Sequence, residues 1–420
     1  MFLNLFYMRL LFVHERFGAF GGAESNLQAA ARELKNRGHS LGLLHGPATG
    51  QEEAAWHGIF PASFSLKNPH SDSSTQTAIT DFKPEVVYVH KMADLKVLQR
   101  LVASGLPLVR MVHDHDLYCM RSYKYNWLTR AICRRPASRY CVFGCGASVA
   151  RNRGGGLPLK WVSYRRKRKE IQLNHRFHRM IVGSNYMRQE LLQNGFDDKK
   201  IEIHPPVPPN LAEKPLNHEV GSSFSDRNLV LYVGQIIRGK GVDVLLQSLT
   251  QVHAPFECLI LGDGNHRPFC EKLSRRLGLE KRVQFLGFIS QDGLRDYFSQ
   301  ASVMVLSSVW PEPFGAAGLE GMRYGLPVVA FDAGAIREWL LSSYNGFLVP
   351  WMDRIQFAAR IQELLLNKTR ARELGERGAR LVSQRFAFSD YISSLESTFD
   401  RVRSEAGPAT PCANRGGSLC

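Results

Sequence analysis

No run of about 18 uninterrupted apolar residues occurs in the 420-residue chain, so no membrane-spanning helix is expected. Cysteine is scarce: 8 residues are too few to staple a chain of this length as a disulfide scaffold. Acidic residues are in deficit, 38 against 54 Lys and Arg, which leaves a formal net charge of +16. That excess favours an anionic partner: a nucleotide, a nucleic acid or an acidic membrane. What is present is ordinary for a folded chain, 44% hydrophobic and 22% charged residues, which excludes wholesale disorder, collagen and coiled coil. The opening MFLNLFYMRLLFVHERF is apolar, but Asn4, Arg9, His14 and Glu15 interrupt it. It lacks the small-residue cleavage pattern of a secretory leader. We read it as the first buried strand of a cytoplasmic protein.

The hydrophobic pattern predicts strands alternating with helices. RLLFVH (9–14), a Gly-rich loop FGAFGGAE (17–24), a helix from Glu24 to Lys35 and the strand LGLLHG (41–46) make one βαβ unit. Strand patterns follow at 84–91, 107–114, 179–185 and 200–210. Residues 205–228, stiffened by Pro205, Pro206, Pro208 and Pro209, read as a linker. The βα pattern then restarts, with strands at 228–234, 257–264, 283–288, 302–308, 326–332 and 345–350, and a long amphipathic pattern from Asp353 to Asp400. The expected fold class is α/β, with two doubly wound, Rossmann-like halves facing a central cleft. The expected units are 1–205, a linker at 206–228, 229–384, a helix at 385–405 that packs back on the first half, and a disordered tail at 406–420. Ligands of such sheets bind beyond the carboxyl ends of the strands, which favours an enzyme with a nucleotide-like ligand.

Four segments carry candidate chemistry. EPFGAAGLE (312–320) begins at the end of a predicted strand, with Glu312 in a turn fixed by Pro311 and Pro313. Gly315 to Leu319 form the first turn of the next helix, whose free N–H groups make an anion site. Glu320 lies about two turns along, placed for ribose hydroxyls. VGQIIRGKGVDVLLQSL (233–249) is Gly-rich and basic after another strand. FGAFGGAE lacks G-x-G-x-x-G spacing, so a dinucleotide cofactor is a poor fit. VHDHDLYCMR (112–121) ends a strand with His113 and Asp114, and Asp114-His-Asp116 also reads as a D-x-D metal site.

WPEPFGAAGLEGMRYGLPVVAFDAGAIREWL (310–340) resembles the signature of retaining GT-B glycosyltransferases of family 4, with Glu312 and Glu320 as its E-x7-E pair. The resemblance implies that Glu312 contacts the donor sugar, Glu320 holds the ribose, and Phe314, Gly315, Ala316 and Leu319 line the donor site. Lys240 matches the family's diphosphate-gripping Lys. Gln235 stands where Arg is usual, so Arg238 is taken as the second cation. Gly21 and Gly22 match the Gly-Gly pair that lets the N-terminal half approach the donor phosphate, with Glu24 opening the helix. His113 matches the His beneath the donor sugar. LGDGN (261–265) and LGFIS (286–290) match segments around the nucleobase or serve as strand-end turns, and DAGA (332–335) resembles a donor-side turn. By this resemblance the chain moves a sugar from a nucleoside-diphosphate sugar to an acceptor hydroxyl, with no cofactor or catalytic metal, in cell-envelope polysaccharide, lipopolysaccharide or glycolipid synthesis. The partners are then the nucleotide sugar and an acceptor glycan or lipid-linked glycan. A nucleotide-sugar epimerase of the same fold and a basic nucleic-acid-binding protein are the competing readings. The E-P-F-G segment opposes the first. The local clustering of charge, without a groove-reading motif, opposes the second and any specific nucleic acid.

Cys119, Cys133, Cys141 and Cys145 cluster without paired C-x2-C knuckles. They read either as a structural zinc site or as free buried thiols or a disulfide. Residues 151–180 carry ten Lys and Arg against one acid, Glu170. Within them, 160–180 also holds Trp161, Tyr164 and Phe177, which reads as a surface for anionic lipid at the inner face of the membrane or for a phosphate-bearing acceptor, or as a solvated helix face.

Overall fold

The computed structural model describes residues 7–18, 21–66, 73–151, 159–208, 228–290 and 293–406. The first half contains β1 (Arg9–His14), β2 (Ser40–His45), β3 (Ala62–Ser65), β4 (Val86–Val89), β5 (Leu108–Val112), β6 (Val149–Arg151), β7 (Leu159–Trp161), β8 (Arg179–Val182) and β9 (Ile201–Ile203). The second contains β10 (Leu229–Val233), β11 (Glu257–Leu261), β12 (Val283–Gly287), β13 (Val303–Leu306), β14 (Val328–Phe331) and β15 (Gly346–Val349). The order in the first sheet is β3-β2-β1-β4-β5-β8-β9, and in the second β12-β11-β10-β13-β14-β15. All pairs in both sheets are parallel. Each order reverses beside its first strand, so each half has a switch point at that strand's carboxyl end. β4, β5, β13 and β14 are buried at every position. Helices cover both faces, which is why these strands read as unbroken apolar runs.

β3 and the antiparallel hairpin β6–β7 escaped the sequence reading. β3 is a sheet-edge strand of sequence ASFS with no residue fully buried, so its apolar signal is weak. The amphipathic pattern of 353–400 resolves into three helices, Arg354–Leu366, Lys368–Arg385 and Phe388–Ala406. Asn367 ends the first and its side chain caps the second. The last helix lies on the first half: Tyr391 bonds Asn26 at 3.1 Å, Glu396 pairs with Arg37 at 2.7 Å, and Phe399 packs on Tyr88. Residues 209–227 of the expected linker and 407–420 of the expected tail lie outside the described residues; Ala406 still belongs to the last helix.

Candidate active site

The second sheet builds one wall. After β10 the chain makes a short turn, Arg238–Lys240, and reaches Gly241 at φ +66°. A Cβ there would lie 2.0 Å from the Ser307 carbonyl, so this close approach of the loops after β10 and β13 demands glycine. The Gly239 carbonyl accepts from the N–H groups of Val309 and Trp310, which zips the loops together. Lys240 is thereby placed against Glu312.

Glu312 is almost fully buried, and its Oε1 accepts from Lys240 Nζ at 2.7 Å, Trp310 Nε1 at 2.9 Å and the Ser308 hydroxyl. Burial alone would raise its pKa, but Lys240 and the two other N–H and O–H groups outweigh that and hold it below the ordinary value. Lys240 also stands over the Trp310 ring at 5.3 Å. The DAGA turn, for which the sequence offered no charge role, has a backbone one: Glu312 N–H donates to Ala333 O, and Ala335 N–H to Glu312 O. Gly334, at φ +71°, lets that turn lie against the Glu312 backbone.

Gly315, at φ +84°, opens the helix Ala316–Arg323. Phe314 and Leu319 turn their side chains into the core, so only their backbone groups are available to a ligand. Gly315, Ala316 and Glu320 are partly exposed at the helix start. The Arg238 guanidinium donates to the Trp127 carbonyl of the other half. Around LGDGN, Cβ atoms at Gly262 and Gly264 would meet the carbonyls of Gly234 and Ile236, which favours the reading as tight strand-end turns.

The first sheet builds the opposite wall. Gly21 caps the helix Gly22–Asn36 in an extended conformation, and a Cβ on it would come within 3.0 Å of Gln235 Nε2, so the two halves face each other here. A Cβ on Gly22 would meet nothing within 4 Å. Glu24 is buried beside His14, at 3.5 Å, and burial raises its carboxyl pKa. His113 follows β5, and its Nε2 lies 2.8 Å from His90 Nδ1. Burial holds both imidazoles well below the ordinary histidine value, so both are neutral near pH 7. His90 Nε2 is buried without a partner, which favours leaving it unprotonated. His90 Nδ1–H then donates to His113 Nε2, and His113 keeps its Nδ1 proton.

The D-x-D metal reading is not supported. Lys91 Nζ sits between the two carboxylates, 2.7 Å from Asp114 and 2.8 Å from Asp116. The four clustered cysteines line one cavity of about 30 Å3, all as free thiols. Among the described residues no three His, Cys, Asp or Glu side chains group so as to hold a metal ion, so the zinc expectation gains no support.

The family model of the glycosyl transferases group 1 matches residues 213–381, and that of glycosyltransferase family 4 matches 20–208. The chain belongs to the GT-B glycosyltransferases of the group 1 and family 4 type. It is 30% identical over 195 residues to a D-inositol 3-phosphate glycosyltransferase of Xylanimonas cellulosilytica, 46% of each chain. It is 31% identical over 182 residues to the alpha-D-kanosaminyltransferase of Streptomyces kanamyceticus, 43% of this chain and 47% of that one. The match spans about half the length of these curated relatives. The backbone is similar to that of Anabaena HepE, crystallised with UDP and glucose: TM-score 0.70, 20% identity, 94% of this chain and 100% of that one. It also resembles the sucrose-phosphate synthase of Thermosynechococcus elongatus: TM-score 0.69, 17% identity, 95% and 100% covered. At such identities these likenesses concern the fold.

In this family member His115, absent from the sequence reading, ties the halves together. Its Nε2–H donates to Pro311 O at 2.9 Å, which leaves Nδ1 to accept from the Tyr118 hydroxyl at 2.8 Å. Ser184 Oγ donates to Pro313 O at 2.6 Å, so both carbonyls flanking Glu312 are held by the first half. Glu338 accepts from the N–H groups of Asn185 and Tyr186, and Arg130 pairs with Asp243 at 2.7 Å. The signal for His115 was its place inside the H-D-H-D run, which the sequence reading spent on His113 and a metal alternative.

Proposed function

We propose that the chain is a retaining glycosyltransferase that moves a sugar from a nucleoside-diphosphate sugar to a hydroxyl of a cell-envelope glycan or lipid-linked acceptor. The observation that carries this reading is the Lys240–Glu312 pair at the carboxyl edge of the second sheet, beside the start of the helix Ala316–Arg323. The donor C1–O bond breaks, and the diphosphate leaves with the electron pair. Lys240 and the free N–H groups of that helix stabilise the new charge. The acceptor oxygen attacks C1 from the same face, and its proton passes to the departing phosphate oxygen. Glu312 stays ionised and orients the sugar. Neutral His113 offers an N–H to a sugar hydroxyl. Both matching family models are glycosyltransferase models, which leaves the epimerase reading without support. NMR of the product is expected to show the donor's anomeric configuration; an inverted product would overturn the retaining mechanism.

A membrane-facing surface belongs to the same reading. Trp161 is 76% exposed, Phe143 84% and Leu128 65%, all in the segment that precedes the basic helix Tyr164–Asn174. Arg165, Arg166, Arg168 and Lys169 of that helix are exposed. Exposed apolar side chains next to basic ones suit an anionic lipid interface. Among the described residues no helix is long and apolar enough to cross a membrane. Neutralising Arg165, Arg168 and Lys169 together is expected to abolish sedimentation with phosphatidylglycerol vesicles without lowering the melting temperature. Undiminished sedimentation would refute this surface.

A further inference from the structure

A cavity of about 840 Å3 opens at the carboxyl ends of β4 and β5, on the His113 side of the molecule. Neither Glu312 nor Lys240 lines it. Its wall is densely charged, but the charges are not evenly matched. Lys91 holds Asp114 and Asp116, and Lys167 holds Glu170 at 2.7 Å, so three of the four wall carboxylates share two lysines. The fourth is Glu15.

Three arginines of the same wall have no such partner. Arg110 is 5% exposed, and its guanidinium bonds only the Met92 carbonyl at 3.2 Å and Asn174 Oδ1 at 3.0 Å. Its Nε is buried with nothing to donate to. Arg121 donates to the carbonyls of Cys145 and Gly146, and its Nε is likewise buried and unpartnered. Arg166 makes one long contact, 3.5 Å to the Ala93 carbonyl. None of the three pairs with a carboxylate among the described residues. Arg110 feels the charge of Glu170, Asp114, Asp116 and Glu15 but pairs with none of them, and a buried guanidinium with no direct anionic partner is costly unless a ligand supplies one. His90 adds a third unpartnered buried atom, Nε2, in the same wall. Tyr123 and Trp161 give the wall flat apolar surface of the kind that sugar rings lie against.

We propose that this cavity receives an acceptor that carries an oxyanion, a phosphate or a carboxylate, gripped by Arg110, Arg121 and Arg166 while its hydroxyl is presented beside His113. The guanidinium fork matches both groups, so the shared chemistry is a planar or tetrahedral oxyanion rather than a neutral sugar. The word acceptor rests on the transferase reading; the anion site itself does not.

The test is calorimetric titration of the full chain with glucose 6-phosphate, glucuronate and glucose. The two anionic sugars are expected to bind at least about tenfold tighter than glucose, and the tighter of them names the oxyanion. Arg166→Ala and Arg121→Ala are each expected to weaken the anionic sugars by about tenfold or more, the scale of a lost charge-assisted hydrogen bond, with glucose unaffected. Lys240→Ala is expected to leave this binding intact. Equal binding of all three sugars, no binding of the anionic ones, or binding lost in Lys240→Ala but kept in Arg166→Ala would overturn the proposal. Nucleoside-diphosphate titration of the same samples reads the donor side separately. Loss of nucleotide binding alone would defeat the transferase reading and leave the anion site standing.

Discussion

Lys240→Ala is expected to lower kcat by about 10²–10³-fold, the usual cost of removing one preorganised charge from a developing oxyanion. It is also expected to destabilise the fold, because Glu312 loses its counter-charge while remaining buried. Breaking a fully buried pair costs roughly 3–5 kcal/mol; here about 2–3 kcal/mol is expected, since Lys240 is 24% exposed and Ser308 and Trp310 still hold the carboxylate. Adding Glu312→Gln isolates the stability effect. The neutral amide oxygen still accepts from Ser308 and Trp310, so the double variant is expected to recover most of the stability, while activity stays lost because Glu312 also orients the sugar. A wild-type kcat for folded Lys240→Ala would make Lys240 a structural residue.

Gly315→Ala is expected to lower the melting temperature by roughly 5–10 °C and to weaken nucleotide binding with it. Two costs add. The left-handed backbone at φ +84° disfavours any Cβ by about 1–2 kcal/mol. The new methyl would lie 2.4 Å from Ile336 Cδ1, in a buried site where overpacking costs about 1–3 kcal/mol. Relief of either strain re-aims the first turn of the helix Ala316–Arg323, whose N–H groups are the proposed anion site. The melting temperature from calorimetry and the nucleotide affinity from titration check the two halves of this expectation. A variant that melts with the wild type and binds nucleotide equally well would show that the helix start is not held where the account requires.

The fold was largely legible because parallel strands buried on both faces write themselves as apolar runs. VVYV, LVRMV and VMVL announce β4, β5 and β13 without any knowledge of their partners. β3 did not, because an edge strand of sequence ASFS buries too little to need a pattern. In the candidate site, Glu312 was legible from the prolines on either side of it and from the glycine-led helix that follows. The contact of Arg238 with the Trp127 carbonyl was not legible, because it is set by the packing of one half on the other. His115 and Ser184 were missed for the same reason: each bonds a carbonyl beside Glu312 from more than 100 residues away. Contacts between halves leave no periodicity and no spacing in the chain. The unpaired arginines of the large cavity are invisible for the opposite reason, since an absent partner can be recognised only once the neighbours are in place.

The central claim is that the second half binds a nucleoside diphosphate through the segment from Glu312 to Glu320. Titration calorimetry of the full chain against UDP, GDP, ADP and NAD, repeated on Glu320→Ala, tests it most directly. The account predicts selective binding of one diphosphate, no binding of NAD, and at least about a tenfold loss of that affinity in the variant. Binding of no nucleoside diphosphate by the folded protein, or affinity unchanged by Glu320→Ala, would contradict it.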